Sequence, residues 1–214
     1  MDLELEKKEL LDFTHQSFNE KLFAGTSGNL SVYDRTNDVI IITPSSIAYE
    51  TMELADIMVI KTDGTIVEGK HKPSSEWRMH AEIYKEQSNI NSIVHTHSPY
   101  ATSFAVSGES IPVILIEMVP FLGGDVKVAK FALPGTPEVG TEALKVLPNR
   151  NACLLANHGV LAIGKDLPQA HIRAVYVEDA AKIYAMAKWN GHVNVMEDKY
   201  VNAMLNRMKN KGEK

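Results

Sequence analysis

Two histidines one residue apart close an apolar run, Ile93-Val94-His95-Thr96-His97. In an extended strand, side chains at i and i+2 leave the same face, so His95 and His97 present two imidazoles side by side. That is the geometry a single metal ion needs from its first two protein ligands. A second apolar run, Ala152-Cys153-Leu154-Leu155-Ala156, ends in Asn157-His158-Gly159 and offers a third imidazole. Three neutral imidazoles suit zinc, with manganese and cobalt as alternatives, and leave a coordination position for water or substrate. His15, His71, His171 and His192 lack this setting and are expected to be structural or simply exposed.

A carboxylate candidate, Glu76, lies in Pro73-Ser74-Ser75-Glu76-Trp77-Arg78-Met79-His80. The pattern predicts a helix over about 75–86 with Ser74 as its cap and Glu76 in the first turn, where the helix dipole favours a negative charge. The same helix start supplies free backbone N–H groups and two serine hydroxyls, a setting that binds phosphate. From there a carboxylate can reach a neighbouring metal or a substrate proton. His80, one turn on, reads as a packing residue or a support rather than a further ligand. Two other segments bring hydroxyls, an amide and glycines to turns: Gly25-Thr26-Ser27-Gly28-Asn29 and Thr43-Pro44-Ser45-Ser46. Alone, each is an ordinary turn composition. Together with the serines of 74–75 and the histidines, they make a candidate anion site.

The elements that must position these groups follow from hydrophobic period and breaker residues. An amphipathic helix opens the chain, carrying Leu3, Leu10, Leu11, Phe18 and Leu22 as far as Gly25. Strands are expected at 30–33 and 39–42, then at 57–60 and 65–67 around Asp63-Gly64, a tight-hairpin signal. Further strands fall at 92–96, 112–116, 152–156 and 160–163, with helices near 100–106, 137–146, 167–188 and 197–208. Early hairpins followed by mixed strands and helices predict an α/β fold with substantial antiparallel pairing, covered by helices.

The composition sets bounds. At 214 residues, 44% hydrophobic and 23% charged, the chain suits one sizeable globular domain over 1–214, ending in a short charged tail from about 209. A net charge of −5 gives no electrostatic reason to expect nucleic acid or an anionic membrane as partner. The single cysteine, Cys153, excludes an intrachain disulfide and fits a reducing cytoplasm. The charged start, Met1-Asp2-Leu3-Glu4-Leu5-Glu6-Lys7-Lys8-Glu9, is unlike a signal peptide. No window approaches the roughly 20 apolar residues that cross a bilayer.

Five segments, taken in order, resemble the class II aldolase/adducin family: Gly25-Thr26-Ser27-Gly28-Asn29-Leu30-Ser31, Ile42-Thr43-Pro44-Ser45-Ser46, Lys72-Pro73-Ser74-Ser75-Glu76, Val94-His95-Thr96-His97 and Ala156-Asn157-His158-Gly159. The resemblance runs over about residues 5–190. Its Pro-Ser-Ser-Glu-Trp segment is more similar to the L-fuculose-1-phosphate aldolases than to the L-ribulose-5-phosphate 4-epimerases, which usually carry aspartate at the position of Glu76. The resemblance implies a three-layer α/β/α domain with a largely antiparallel central sheet. It also implies a cytoplasmic homotetramer with active sites at subunit interfaces and a sugar phosphate as substrate.

By the same resemblance, zinc would be held by His95, His97 and His158. Glu76 would be a ligand in the resting site and the acid/base during turnover. Phosphate would be held by Gly28, Asn29, Ser45, Ser46, Ser74 and Ser75. The implied reaction is reversible cleavage of an L-fuculose 1-phosphate-like 1-phosphoketose to dihydroxyacetone phosphate and a small aldehyde. Epimerases, dehydratases and decarboxylases of the family are the alternatives, followed by a non-catalytic adducin-like module that lacks the histidines. The chain departs from the family at two places. Serine stands at position 46, where glycine is frequent. No tyrosine occurs in the Ile111-Pro112 run through Leu122, where the aldolases place an aldehyde-protonating tyrosine; Glu117 is the only ionisable side chain there.

Overall fold

The structure is a computed structural model in which residues 3–210 are described. Helix α1 (Glu4–Asn19) leads into β1 (Asn29–Asp34), β2 (Val39–Ile42), β3 (Met58–Lys61) and β4 (Ile66–Glu68). Helix α2 (Trp77–Glu86), β5 (Ser92–Thr96), α3 (Pro99–Ser107), β6 (Lys127–Ala129) and α4 (Glu138–Val146) follow. The chain continues through β7 (Ala152–Leu155), β8 (Gly159–Gly164), α5 (Leu167–Trp189) and α6 (Asp198–Asn210). The strands make one eight-stranded sheet in the order β4-β3-β2-β1-β5-β8-β7-β6. Every pairing is antiparallel except β6 with β7.

Both faces of the sheet are covered, which explains why the strands read as unbroken apolar runs rather than alternating ones. Val39, Ile41, Val59, Val94, Leu154, Val160 and Ala162 pack into a core that includes Leu10 of α1, Ala101 and Phe104 of α3, and Ala170, Ala174 and Val177 of α5. The intervening residues Ile40, Ile42, Met58, Ile60, Ile93, Cys153, Leu155, Leu161 and Ile163 face a second core with Met79, Ile83 and Tyr84 of α2 and Val139 and Ala143 of α4. A one-residue slip in any strand would exchange the two sets. The three-layer α/β/α arrangement expected from the sequence is what the chain adopts.

Helix α5 has a sharp start: Asp166 accepts from Gln169 N at 2.9 Å, a cap worth about 1 kcal/mol. Helix α3 starts without a side-chain cap of its own. Instead, the Glu178 carboxylate of α5 accepts from Tyr100 N at 3.0 Å and Ala101 N at 2.8 Å. This ties the helix that follows His97 to the longest helix of the fold.

Several elements differ from the sequence expectation. Helix α1 stops at Asn19, because Lys21 turns the chain at φ +65. Leu22 is buried beyond that turn rather than on the helix. Helix α2 starts at Trp77, two residues later than expected, and Ser74 is not its cap. Ser74 Oγ instead accepts from Glu76 N at 3.3 Å, and Trp77 N donates to Ser74 O, so a turn precedes the helix. No strand forms at 112–116. Pro112 has no N–H for a ladder, and only Ile111 pairs, through an isolated bridge to Val126. The chain then makes a π-helical turn, Met118–Leu122. Strand β6 is not anticipated by the pattern, being three residues long. The tail expected from about 209 falls partly on α6; residues 211–214 lie outside the described residues.

Candidate metal centre

The sheet topology brings the chemistry to one end. The start of β1, the end of β2, the end of β5 and the β7–β8 turn lie together, because β1 pairs antiparallel with β2 and β5, and β5 pairs antiparallel with β8. Asn29 and His95 are direct cross-strand partners. His95 and His97 share the face covered by α2, as the strand period requires. Asn157 adopts φ +55 in the β7–β8 turn, and His158 comes next. Gly159 lets β8 approach: a Cβ there would lie 2.3 Å from Thr96 O and 3.1 Å from the His97 ring. Gly28, at φ +85, also lies close to β5, with 2.8 Å from its would-be Cβ to His95 O.

Glu76, His95, His97 and His158 converge, one ligand atom of each lying within 4.8 Å of the others. His95 Nε2 is 3.0 Å from His97 Nε2 and 2.9 Å from Glu76 Oε2, and His158 Nε2 is 3.2 Å from Glu76 Oε1. Ligand atoms of a tetrahedral zinc with bonds of about 2.0–2.1 Å are about 3.3 Å apart. Glu76 stands at the helix start with φ −100, outside the helical range, which frees its side chain to turn toward the histidines. The turn between β3 and β4 fixes that start, since Gly64 packs directly on the Trp77 indole.

Hydrogen bonding tests whether the cluster fits a cation. His95 is fully buried, and its Nδ1 lies 2.8 Å from Val160 O. A carbonyl only accepts, so Nδ1 carries the proton and neutral His95 aims the Nε2 lone pair at a carboxylate oxygen and a second imidazole. A backbone carbonyl of this kind is the usual orienter of a ligating histidine. Lone pairs so arranged repel unless a proton or a metal stands among them. Glu76 Oε1, moreover, is buried with no hydrogen bond, and His158 Nε2 stands 3.2 Å from it. An orphaned carboxylate oxygen beside converging imidazoles is what a cation would satisfy. The donor set fits a divalent metal of the zinc type.

The electrostatics agree. Burial would raise the Glu76 carboxyl, yet His95 and His158 hold it far below the usual carboxylate range. Burial opposes charge on His95, and the Glu76 carboxylate overrides it and pushes His95 up. His97 is pushed down to about 3 by burial and by the neighbouring His95 and His158. The carboxylate and the imidazoles are therefore electrostatically coupled, the charge on each depending on that of its neighbours.

The expected anion residues lie around this centre. Ser45 N donates to Lys72 O at 2.9 Å and Ser74 N to Thr43 O at 3.0 Å, so the 43–46 and 72–75 turns are stitched together. Thr43 Oγ1 accepts from Leu30 N at 3.3 Å, joining both turns to β1. Tyr49 OH donates to Gly28 O at 2.7 Å and fixes the glycine loop. Ser46 holds φ +61, so the serine keeps the left-handed conformation that glycine adopts freely. Ser45 is half-buried, Ser46 and Ser75 are exposed, and Ser74 is buried. Asn29 is buried, and its amide faces Glu76 and His80 instead of solvent.

Glu117 precedes the π-helical turn. That turn hydrogen-bonds through Leu122 O to Asn151 N, at the start of β7 and thus at the opposite end of the strand from His158. Within one chain, Glu117 does not reach the histidines. Sequence reasoning did not identify the buried partners of Asn29. The signal was present in the i, i+2 spacing of Asn29 and Ser31 and the i, i+4 spacing of Glu76 and His80.

This architecture and site define the class of the protein. The family described as Class II Aldolase and Adducin N-terminal domain matches residues 8–185, and the chain belongs to it. Over its whole length it is 31% identical to a 5-deoxy-D-ribulose 1-phosphate aldolase of Bacillus thuringiensis serovar kurstaki, covering 213 residues and 100% of both chains. It is 39% identical over 175 residues to a 5-methylthioribulose-1-phosphate/5-deoxyribulose-1-phosphate aldolase of Rhodospirillum rubrum, covering 82% of this chain and 78% of that one. A solved structure described as L-fuculose 1-phosphate aldolase superposes with a TM-score of 0.89 at 39% identity, covering 95% of each chain. The chain is a class II aldolase-family protein of the phosphosugar aldolase type. Among its described residues, no helix is long and apolar enough to cross a membrane.

Proposed function

We propose that this protein is a divalent-metal-dependent lyase that reversibly cleaves a 1-phosphoketose to dihydroxyacetone phosphate and a small aldehyde. The observation that carries the reading is Glu76, with one oxygen 2.9 Å from His95 Nε2 and the other, buried and without a hydrogen bond, 3.2 Å from His158 Nε2. His95, His97 and His158 would hold the cation, zinc first, with Glu76 as a fourth ligand at rest. Bound there, the cation would supply Lewis-acid stabilisation of the negative charge that develops as the C3–C4 bond breaks, worth several kcal/mol.

The residues of the chain bind the phosphate and move the proton at the enediolate carbon. Gly28, Asn29, Ser45, Ser46, Ser74 and Ser75 would hold the phosphate, Asn29 through groups its buried amide bonds leave free. Phosphate binding fixes the substrate against the metal and turns binding energy into orientation. Glu76 would protonate the enediolate carbon in cleavage and remove that proton in synthesis. We read 1–214 as one domain assembling as a homotetramer in the cytoplasm. Exposed Phe131 and Leu133 lie close in sequence to Gly135, which touches the Ser75 backbone. Apolar side chains next to a site support an interfacial position for it.

The relatives support a choice of aldehyde. The two curated relatives are named for ketoses whose distal carbon carries hydrogen or a methylthio group, so an apolar aldehyde is the first choice. The 39% identical L-fuculose 1-phosphate aldolase structure favours a second, hydroxylated one. Purified protein offered 5-deoxyribulose 1-phosphate, 5-methylthioribulose 1-phosphate and L-fuculose 1-phosphate should release dihydroxyacetone phosphate, fastest from the first two. Interconversion of pentulose phosphates without aldehyde release would replace the lyase with an epimerase.

A further inference from the structure

A chain of buried polar side chains runs behind Glu76, away from the histidines. Tyr84 OH lies 2.6 Å from Ser31 Oγ, and Ser31 Oγ lies 2.6 Å from His80 Nδ1. His80 Nε2 lies 2.5 Å from Asn29 Oδ1, and Asn29 Nδ2 donates to Glu76 Oε2 at 3.1 Å. His80, Ser31 and Tyr84 are fully buried, and Asn29 nearly so. Two strand residues on one face of β1 and two residues four apart on α2 supply everything between the core and the carboxylate.

The direction of each bond follows from chemistry. A carboxylate only accepts, so Asn29 must turn its NH2 toward Glu76 and its carbonyl toward His80. His80 must then carry its proton on Nε2, which leaves Nδ1 as an acceptor for the Ser31 hydroxyl. Tyr84 OH directs its single proton between Ser31 Oγ and Ser31 O, to which it donates at 3.0 Å. Burial and the nearby His95 push His80 down to about 3, in keeping with a neutral ring. No water-filled route is needed, and the amide makes the chain an orienting device, not a proton wire.

We propose that His80, backed by Ser31 and Tyr84, is a positioning residue. It locks the Asn29 amide so that a donor always faces Glu76 Oε2, and thereby fixes the carboxylate for proton transfer at the substrate carbon. Without that lock the amide can rotate and offer its carbonyl, repelling the carboxylate and letting it swing. A displacement of about 1 Å in a proton-transfer group lowers a rate by on the order of 100-fold. The proposal rests on the assignment of Glu76 as acid/base made above.

The test compares His80→Leu, His80→Gln and Ser31→Ala with wild type. Glutamine can still donate to Asn29 Oδ1; leucine cannot. Three quantities are read for each: metal content, binding of dihydroxyacetone phosphate, and exchange of its carbon-bound hydrogen with D2O in the absence of aldehyde. The exchange isolates the proton step at Glu76. His80→Leu should slow exchange and kcat on the order of 10- to 100-fold with KM and metal content held. His80→Gln should recover most of the loss, and Ser31→Ala should lie between. Equal exchange rates in leucine and glutamine variants of similar melting temperature would overturn the proposal. Should His80→Leu not fold, Ser31→Ala with wild-type exchange would overturn it as well. A wild-type protein that neither cleaves ketose phosphates nor exchanges the proton would instead sink the assignment of Glu76.

Discussion

Glu76 Oε2 sits 2.9 Å from His95 Nε2, and the other nitrogen of that ring faces the Val160 carbonyl at 2.8 Å. The carbonyl fixes the tautomer, so two electron-rich atoms confront each other in a buried space. A positive charge between them, a proton or a metal cation, resolves the contact, and Glu76 Oε1 is buried beside it with no hydrogen bond of its own.

Removing an imidazole should therefore empty the site. His95→Ala and His158→Ala are each expected to carry well below one metal ion per chain after dialysis, measured by elemental analysis. Full occupancy in both variants would contradict the ligand assignment.

Glu76→Gln separates the metal from the proton. The three imidazoles stay, so metal content and phosphate affinity should hold within about threefold. Loss of a general acid/base should lower kcat by about 10² to 10⁴. Steady-state cleavage assays check this; a wild-type kcat would remove Glu76 from the chemistry.

Gly159→Ala tests the packing that brings β8 to the histidines. Its Cβ would come within 2.3 Å of Thr96 O, a backbone atom that cannot swing aside. The strand must move, at a cost of about 1–3 kcal/mol, or a melting point lower by several degrees. Metal affinity should fall with it, because the clash lies between the segments carrying His97 and His158. An unchanged melting curve would mean the close approach is not maintained in solution.

Ser46→Gly should act oppositely. A left-handed conformation strains a serine by about 1–2 kcal/mol, while glycine adds about 0.5–1 kcal/mol of unfolded-state entropy. The net is a melting temperature unchanged or slightly raised, with KM for the phosphoketose within about threefold. A marked loss of affinity would assign the Ser46 hydroxyl a direct contact that its backbone alone does not supply.

The site was legible in the sequence to the extent that short-range period carries it. The i, i+2 spacing of His95 and His97 survives because a strand has no other way to arrange them. His158 and Glu76 were visible as the polar ends of apolar elements. The sheet order and the pairing of Asn29 with His95 were not, since register depends on partners 60 residues or more apart. The polar chain from Tyr84 to Asn29 was hidden for the same reason: a buried serine, histidine and tyrosine look unremarkable until the strand and helix are laid against each other. The π-helical turn at 118–122 escaped because Pro112 and its apolar neighbours match a strand in composition while lacking a partner for the ladder.

One measurement bears most directly on the whole account. The purified protein is stripped with a strong chelator, then titrated with zinc, manganese or cobalt while metal content, melting temperature and aldol cleavage are followed together. The account predicts one ion bound per chain, a melting temperature raised by an amount corresponding to about 2.7 kcal/mol at a hundredfold excess over Kd, and cleavage returning in step with occupancy. A stripped protein that binds no ion, or that cleaves the substrate as fast without one, would contradict it.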